Sequence, residues 1–242
     1  MKICMAQTLP EKGNVEGNIQ NHKKLIDLAI SEKADLIIFP ELSLTGYEPT
    51  LANQLSMDAR DTRLNAFQTI SDANNITIGV GAPVKSRKGI CIGMVIFQPH
   101  RPRQVCAKKY LHSDEDPFFV SGENIPFINV KGEKIALAIC YELSVDEHLR
   151  AAVETGASIY VASVAKSVRG IEKAHATLSE TAKQNAMTVL MSNCIGVCDG
   201  ETCAGKSAIW NTRGEQIGNL SDASEGIILL DTENGDLVAR LL

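Results

Sequence analysis

Short, continuous apolar runs alternate with amphipathic segments in the second half of the chain, and this alternation constrains the fold more than any other feature. The run at residues 134–139 is followed by a helical pattern, a second run at 158–163, a helix at 171–185 and a third run at 188–193. A strand that is apolar at every position is expected where both faces of a sheet are covered. Strands that alternate with helices in this way form parallel sheets. The sequence therefore predicts an α/β fold.

The remaining elements follow the same two patterns. Residues 15–33 have the apolar spacing of an amphipathic helix, and residues 64–73 predict a second helix that ends at Asn74 and Asn75. Residues 144–147, Ser-Val-Asp-Glu, have the form of a capping box, which predicts a helix from there to about residue 154. The other predicted strands are residues 2–7, 35–39, 76–83, 89–97, 104–108, 207–210 and 225–230. No internal repeat or linker-like change of composition interrupts them, so we predict one domain over residues 1–242.

Composition and charge exclude several functional classes. The formal net charge is −5 and Lys/Arg residues cluster no further than pairs, so neither nucleic acid nor an anionic membrane is expected as a partner. No segment approaches the ~18 apolar residues of a membrane span, and the apolar stretch at the start is too short for a signal peptide. Seven cysteines in such a chain fit a reducing compartment, so we expect a cytoplasmic protein with at least one free thiol.

Cys140 is the first candidate for chemistry. It follows the predicted buried strand at 134–139 and precedes a predicted helix N-terminus. Catalytic groups of open α/β sheets gather at the carboxyl ends of the strands, and a helix N-terminus favours the thiolate, which is the nucleophilic form of cysteine. A cysteine after the apolar residues 136–139 can equally be a small buried hydrophobe. Position alone therefore leaves both interpretations open.

Two charged residues also stand at predicted strand ends. Glu41 follows the apolar run at 36–39, where burial would raise its pKa toward that of a general base; an isolated glutamate is more often solvated. Lys108 ends the strand predicted at 104–108, and an ammonium group there can stabilise a thiolate or donate to an oxyanion. The alternative for Lys108 is an ordinary surface lysine pair with Lys109.

Taken together, the motifs around these residues resemble those of the nitrilase superfamily of carbon–nitrogen hydrolases. The matching stretches are Phe-Pro-Glu-Leu and Thr-Gly-Tyr around Glu41, Lys-x-x-Leu with a following Glu and Phe-Phe-x-x-Gly over residues 108–122, and the apolar strand that leads into Cys140-Tyr141-Glu142. Three further stretches, Gly-Ala-Ser at 156–158, Met-Ser-Asn at 191–193 and Gly-Lys-Ser-Ala-Ile at 205–209, look like later landmarks of the family. The resemblance covers nearly the whole chain.

This resemblance implies a single-domain αββα sandwich with a Glu-Lys-Cys active site. On that pattern Glu41 is the general base, and Cys140 is the nucleophile that forms a covalent acyl-enzyme. Lys108 would stabilise the tetrahedral oxyanion together with the backbone N–H of Tyr141. Glu115 matches a second carboxylate that many members of the family place near the lysine, although two other acids flank it here.

The same pattern distinguishes two adjacent lysines. Neighbouring residues of a strand point to opposite faces, so only one of Lys108 and Lys109 can reach the site. Leu111 stands three residues after Lys108, as the Lys-x-x-Leu pattern requires, and Glu115 stands seven residues after it. We therefore expect Lys108 in the site and Lys109 in solvent.

Three late cysteines, Cys194, Cys198 and Cys203, lie close to Asp199 in the sequence and suggest a metal cluster. Their spacings match no common zinc pattern, so a flexible loop that happens to carry cysteines is the favoured interpretation. We expect no metal and no cofactor in the reaction, because a thiol activated by a glutamate needs no Lewis acid.

The expected function is hydrolysis of a small amide or N-carbamoyl compound, and nitrile hydrolysis or acyl transfer in the same site stay open. Since members of the family commonly dimerise through helices near the nucleophile, the resemblance also implies a homodimer or a higher homo-oligomer. One alternative is a catalytically silent binding or assembly protein; another is a zinc-stabilised module built on the late cysteines. Labelling of a single fast thiol at neutral pH would favour the enzyme, and metal in the purified protein would favour the zinc module.

Overall fold

Two large sheets form the centre of the computed structural model, which describes residues 1–123, 125 and 127–242. The strands are β1 (Lys2–Gln7), β2 (Leu36–Ile38), β3 (Thr77–Lys85), β4 (Ile90–Phe97), β5 (Gln104–Ala107), β6 (Ile128–Val130), β7 (Glu133–Ile139), β8 (Ile159–Ser163), β9 (Thr188–Ser192), β10 (Ile195–Cys198), β11 (Glu201–Ala204), β12 (Ala208–Trp210), β13 (Gln216–Asn219), β14 (Gly226–Asp231) and β15 (Leu237–Leu241). The helices are α1 (Val15–Ser31), α2 (Ala52–Leu55), α3 (Asn65–Asn74), α4 (Asp146–Glu154) and α5 (Ile171–Asn185). Short 3₁₀ turns lie at Pro49–Leu51, Thr62–Leu64 and Cys140–Ser144.

The strand order shows how the alternating pattern folds. Among the described residues the first sheet has the order β15-β14-β1-β2-β3-β4-β5, and the second has the order β13-β12-β9-β8-β7-β6. Strands β1, β2 and β3 are parallel, as are β7, β8 and β9. The outer strands pair antiparallel. The α/β class predicted from the alternation of strands and helices is confirmed.

Residues of β1 illustrate the layering. Ile3 and Met5 belong to the core that lies between the two sheets, whereas Cys4 and Ala6 belong to the core beneath α1 and α3. Successive side chains of a strand point to opposite faces, so each parallel strand of the first sheet is covered on both sides. Helices α4 and α5 contribute Ala152, Ala174 and Leu178 to the core of the second sheet. The layers therefore run helix, sheet, sheet, helix, which is the predicted αββα sandwich.

Two buried hydroxyl groups tie one sheet to the other. The Ser163 hydroxyl at the end of β8 donates to the Phe39 carbonyl at 2.8 Å, and the Ser192 hydroxyl at the end of β9 donates to the Ala6 carbonyl at 2.5 Å. Both bonds lie at the carboxyl ends of the parallel strands. They fix the relative position of the loops that follow those strands.

Most sequence-based boundaries agree with the structure, but the predicted capping box is wrong. Helix α5 has the predicted bounds, whereas α4 begins at Asp146 with Val145 at its N-cap and no side-chain cap bond. Ser144 is instead the last residue of the 3₁₀ turn that starts at Cys140. Because that turn extends through Ser144, the N-cap position of α4 falls on Val145, whose side chain has no hydrogen-bond acceptor.

The late cysteines do not lie in an irregular loop, so that interpretation is also wrong. Strands β10 and β11 form a hairpin whose last pair is Cys198 with Glu201. The two residues between them, Asp199 and Gly200, both have positive φ, at 48° and 78°, which is the geometry of a tight hairpin turn that favours Asp-Gly.

None of the helices in the described part of the chain has the length and apolar character that a bilayer crossing needs.

Candidate active site

The three residues around which the motifs cluster lie beyond strand ends. Glu41 lies in the turn after β2, Lys108 directly follows β5, and Cys140 directly follows β7. Strands β2 and β5 belong to the first sheet and β7 to the second. The packing of one sheet on the other therefore brings together groups that are about 30 to 100 residues apart in the sequence.

Lys108 lies between two carboxylates. Its Nζ atom is 2.8 Å from Glu41 Oε1 and 2.6 Å from Glu115 Oε1, and all three side chains are at most 2% exposed. The Tyr47 hydroxyl donates to Glu115 Oε1 at 2.9 Å, and the His112 backbone N–H donates to Glu115 Oε2 at 2.8 Å. Glu115 is thus held by three donors, although it was the least distinct of the sequence candidates. Lys109 is exposed.

The second oxygen of Glu41 is not used by Lys108. Glu41 Oε2 is buried and has no hydrogen bond of standard geometry among the described residues, although the Cys140 thiol is close enough to stabilise the carboxylate. Burial raises the pKa of Glu41; the charge of Lys108 opposes this rise and that of Glu115 adds to it. A buried carboxylate with a raised pKa and one free oxygen is suited to accept a proton.

Cys140 has an uncommon backbone conformation. Its φ is 45°, in the left-handed region that residues with a side chain rarely adopt. The chain leaves β7 at this point and enters the 3₁₀ turn Cys140–Ser144. The turn leaves Cys140 only 8% exposed and on the wall of a cavity.

Glu142 holds that turn, a role that the sequence analysis did not assign. Its carboxylate is 0% exposed and accepts hydrogen bonds from the backbone N–H groups of Ile139 and Lys109, both at 2.8 Å. One buried side chain therefore connects the turn at Cys140 with the segment that carries Lys108. Its place in the motif Cys-Tyr-Glu was the only signal for it in the sequence.

Tyr141 is the second residue of the same 3₁₀ turn. The first N–H groups of a helical turn have no partner within the turn, so the backbone N–H of Tyr141 is suited to the oxyanion role predicted for it. The ring of Tyr141 packs edge-on against His112 with 5.1 Å between ring centroids. Both residues line the cavity.

A second lysine faces the thiol, and sequence reasoning missed it. Lys166 follows β8 by three residues and lines the cavity with Cys140. The buried amide of Asn193 holds its backbone, since Asn193 Oδ1 accepts from the Lys166 N–H at 2.8 Å. Its position after a buried strand is the same signal that pointed to Lys108, and that signal was available in the sequence.

Burial works against the thiolate form of Cys140, which a helix N-terminus was expected to favour. Burial raises its pKa to about 11 and the charge of Glu41 adds to this rise, whereas Lys166 and Lys108 oppose it. Desolvation penalises the charged form of a buried group more than the nearby cations favour it. The arrangement therefore suits transfer of the thiol proton to Glu41 during attack.

The cavity above Cys140 has a volume of about 320 Å³. Its wall includes Glu115, Tyr47 and Tyr141 and the hairpin residues Cys198 and Cys203. Cavities that bind small ligands fall in this size range. The space suits a small molecule whose reacting carbon sits over the thiol.

Comparison with known proteins gives a match along nearly the whole chain. The family model described as carbon-nitrogen hydrolase matches residues 2–238. A protein described as "Hydrolase in pqqF 5'region" from Pseudomonas protegens is 26% identical over 236 residues, which cover 95% of this chain and 81% of that relative. A glutamine-dependent NAD(+) synthetase from Acinetobacter baylyi is 27% identical over 234 residues, which cover 88% of this chain. The chain spans only 41% of the length of that synthetase.

Solved structures show the same architecture. A mutant of the amidase from Nesterenkonia sp. AN1 in complex with butyramide superposes with a TM-score of 0.86 at 22% sequence identity. The match covers 96% of this chain and 90% of the amidase. At this identity the likeness establishes the fold.

Proposed function

Because the chain belongs to the carbon–nitrogen hydrolase family, we propose that it hydrolyses a small linear amide or N-carbamoyl compound through an acyl-enzyme on Cys140. One observation carries the proposal: Lys108 is buried between Glu41 and Glu115 within 2.8 Å of both, beside a cysteine that lines a cavity. Burying these three charged side chains costs desolvation energy, so a gain in folding stability is a weak explanation for the cluster. Its position beside a thiol favours a chemical role.

The first step is attack by the thiol. Cys140 Sγ forms a bond to the carbonyl carbon of the substrate, and its proton moves to Glu41. A neutral thiol is a weak nucleophile, so it needs a base within hydrogen-bonding reach. The free oxygen of Glu41 supplies that base.

The tetrahedral intermediate carries a negative oxygen. An ammonium group has three N–H donors, and Lys108 uses two of them for Glu41 and Glu115. The third donor is available to the oxyanion together with the backbone N–H of Tyr141. Donors that are fixed in a buried site stabilise a developing charge strongly because they need no reorganisation.

The intermediate then collapses with loss of the nitrogen group. Glu41 returns its proton to the leaving nitrogen, which departs as ammonia or an amine and leaves a thioester on Cys140. A water molecule then gives a proton to Glu41 and its oxygen forms a bond to the thioester carbon. As the carbon–sulfur bond breaks, Glu41 returns that proton to the Cys140 sulfur and restores the thiol. The products are a carboxylic acid, or a carbamic acid from an N-carbamoyl substrate, and the free enzyme.

The cavity and the relatives support the proposed substrate class. A cavity of about 320 Å³ holds a molecule of a few carbon atoms with one amide group. The amidase from Nesterenkonia sp. AN1 was solved with butyramide, and other relatives are glutamine-dependent synthetases. Butyramide and the side-chain amide of glutamine are therefore the first compounds to test.

Intact-mass analysis tests the proposal. The wild-type protein is incubated with pooled amides, N-carbamoyl compounds and nitriles, and is quenched in acid. We expect a mass increase equal to one acyl group, located on Cys140 by peptide mapping. Cys140→Ala is expected to abolish both the adduct and turnover with an unchanged circular dichroism spectrum. Cys91, another buried cysteine on β4, provides the control, because Cys91→Ala should retain both.

Two outcomes contradict the proposal. Turnover by Cys140→Ala within about tenfold of the wild type, a difference of only ~1.4 kcal/mol in the barrier, would exclude a covalent mechanism on this residue. Absence of both adduct and turnover across the whole compound pool would favour the catalytically silent alternative.

A further inference from the structure

Three thiols that the proposed reaction does not use converge on the wall of the cavity. The sulfur atoms of Cys194, Cys198 and Cys203 all lie within 4.8 Å of one another, and those of Cys194 and Cys198 are 3.5 Å apart. Tetrahedral zinc with Zn–S bonds of about 2.3 Å holds its sulfur ligands about 3.8 Å apart. The three sulfurs are therefore within small side-chain rotations of a zinc-binding arrangement.

The hairpin holds these side chains on a rigid scaffold. Cys203 on β11 pairs with Gly196 on β10, and Gly196 lies midway between Cys194 and Cys198 in the sequence. Gly196 has a φ of 84°, in the left-handed region that glycine adopts far more readily than residues with a side chain. The Cys194 carbonyl accepts from the Gly205 N–H at 2.8 Å. Ligands that are fixed by paired strands lose little entropy on binding an ion.

Simple packing is the alternative, since buried cysteines often act as small hydrophobes. One feature favours a metal over packing. Cys198 and Cys203 line the cavity beside charged side chains such as Glu115 and Lys166, so an ion has access to them from the cavity.

We propose that Cys194, Cys198 and Cys203 bind one zinc ion, with the fourth coordination position open to the cavity that contains Cys140. Three thiolates and Zn²⁺ carry a net charge of −1, and formation of the site releases up to three protons to solvent. Soft sulfur ligands select zinc over magnesium or calcium. Glu41, Lys108 and Cys140 are not ligands of this site, and the proposal does not depend on their chemistry.

Metal titration tests the site directly. The full-length protein is stripped of metal with a chelator under a phosphine reductant and is titrated with Co²⁺, which reports thiolate ligands through sulfur-to-cobalt charge-transfer absorption. We expect saturation at one Co²⁺ per chain with the intensity of three thiolate ligands, and displacement by one equivalent of Zn²⁺. The band intensity reports the ligand number in the wild-type protein and so does not rely on any variant.

Matched cysteine variants locate the ion. Cys198→Ser and Cys203→Ser each remove one ligand and are expected to weaken zinc binding more than about 100-fold, because loss of even an outer-shell partner costs 10–100-fold. Cys91→Ser, in a buried cysteine of β4 outside the cluster, should bind zinc like the wild type. Cys140→Ser should also bind zinc like the wild type, since Cys140 is not a ligand.

Three results would overturn the inference. One is a wild-type protein that takes up no Co²⁺ or Zn²⁺ at micromolar concentration. Another is undiminished binding by Cys198→Ser, which would indicate adventitious surface sites. The third is loss of binding in Cys140→Ser, which would place the ion on the thiol that we assign to hydrolysis.

Discussion

The charge state of Lys108 depends on its buried neighbours. Burial opposes its charged form, but Glu41, Cys140 and Glu115 outweigh burial and raise its pKa. The ammonium is therefore charged at neutral pH. Glu41 and Glu115 share this one cation, so the cluster of three side chains has more carboxylates than ammonium groups. The charge of Glu115 accordingly adds to the rise in the pKa of Glu41 that burial causes.

Substitution of the two adjacent lysines distinguishes their roles. Lys108→Ala is expected to lower kcat at least ~10²-fold, because loss of a single oxyanion donor costs that much. It also leaves Glu41 and Glu115 facing each other without a cation, so the Tm should fall. Lys109→Ala, at an exposed position, should change kcat and Tm little. Steady-state kinetics and thermal unfolding of both variants provide the measurement, and an inactive Lys109→Ala would show that the assignment is shifted by one residue.

The charge of Lys166 has a measurable effect on the thiol. The pKa of Cys140 is raised to about 11, and Lys166 is the larger of the two charges that oppose this rise. Lys166→Met removes the charge and keeps the length of the side chain. The pKa of Cys140 should therefore rise further, and the thiolate fraction at any pH below it should fall by about tenfold per pKa unit.

The rate of iodoacetamide labelling of Cys140 between pH 7 and 11 measures this shift, because only the thiolate reacts. We expect the labelling curve of Lys166→Met to move to higher pH. Lys173→Met, on the exposed face of α5, is the matched control and should leave the curve in place. A curve that moves to lower pH would mean that Lys166 does not act on the thiol through its charge.

At the scale of elements, strand β3 supports the turn that carries Glu41. The Leu44 N–H donates to the Gly81 carbonyl of β3 at 3.0 Å. A Cβ atom at Gly81 would lie 2.2 Å from the Pro40 carbonyl oxygen and 2.5 Å from the Leu42 nitrogen. Backbone therefore approaches backbone here, and no larger residue fits without moving the turn.

Gly81→Ala is accordingly expected to displace Glu41 without touching the substrate. A displacement of about 1 Å in a catalytic group can cost 10²-fold in rate, so kcat should fall more than about tenfold while KM changes less. Gly132→Ala is the control: its φ is 87° and nothing lies within 4 Å of the added Cβ, so it should lower Tm but not kcat. Equal kcat values in wild type and Gly81→Ala would show that the turn tolerates the displacement.

For the whole molecule, we propose a homodimer through the exposed face of α4. Val153 on this helix is 39% exposed, and with Leu149 it lines a surface recess that continues to the end of α5 at Asn185. Helix α4 follows the turn at Cys140, so a partner chain at this face would support the site from outside.

Light scattering coupled to gel filtration tests this proposal. We expect a mass of twice the 26.1 kDa of one chain for the wild-type protein and a single-chain mass for Val153→Arg, because a buried, unpaired charge at an interface is costly. Leu241→Arg, which adds the same charge at a position that is 57% exposed on β15, should leave the mass unchanged. A wild-type protein that elutes as a monomer at all concentrations would contradict the proposal.

The sequence by itself determined the class of fold and the strand ends at which charged residues stand. Apolar runs and amphipathic periods reflect local burial, and local burial is what a single chain segment encodes. For this reason strand β1 and helix α5 have the predicted bounds. Strands β13 and β15 escaped prediction because they are short and largely exposed, so their residues neither alternate nor form an apolar run.

Only the tertiary structure decided which of these residues meet. Glu142 binds the backbone of Lys109, Lys166 reaches the thiol of Cys140, and the three late cysteines converge at one point. Each contact depends on strand order or hairpin register, and neither periodicity nor residue spacing specifies these. Burial opposes one expectation as well, since desolvation by the folded chain raises the pKa of Cys140.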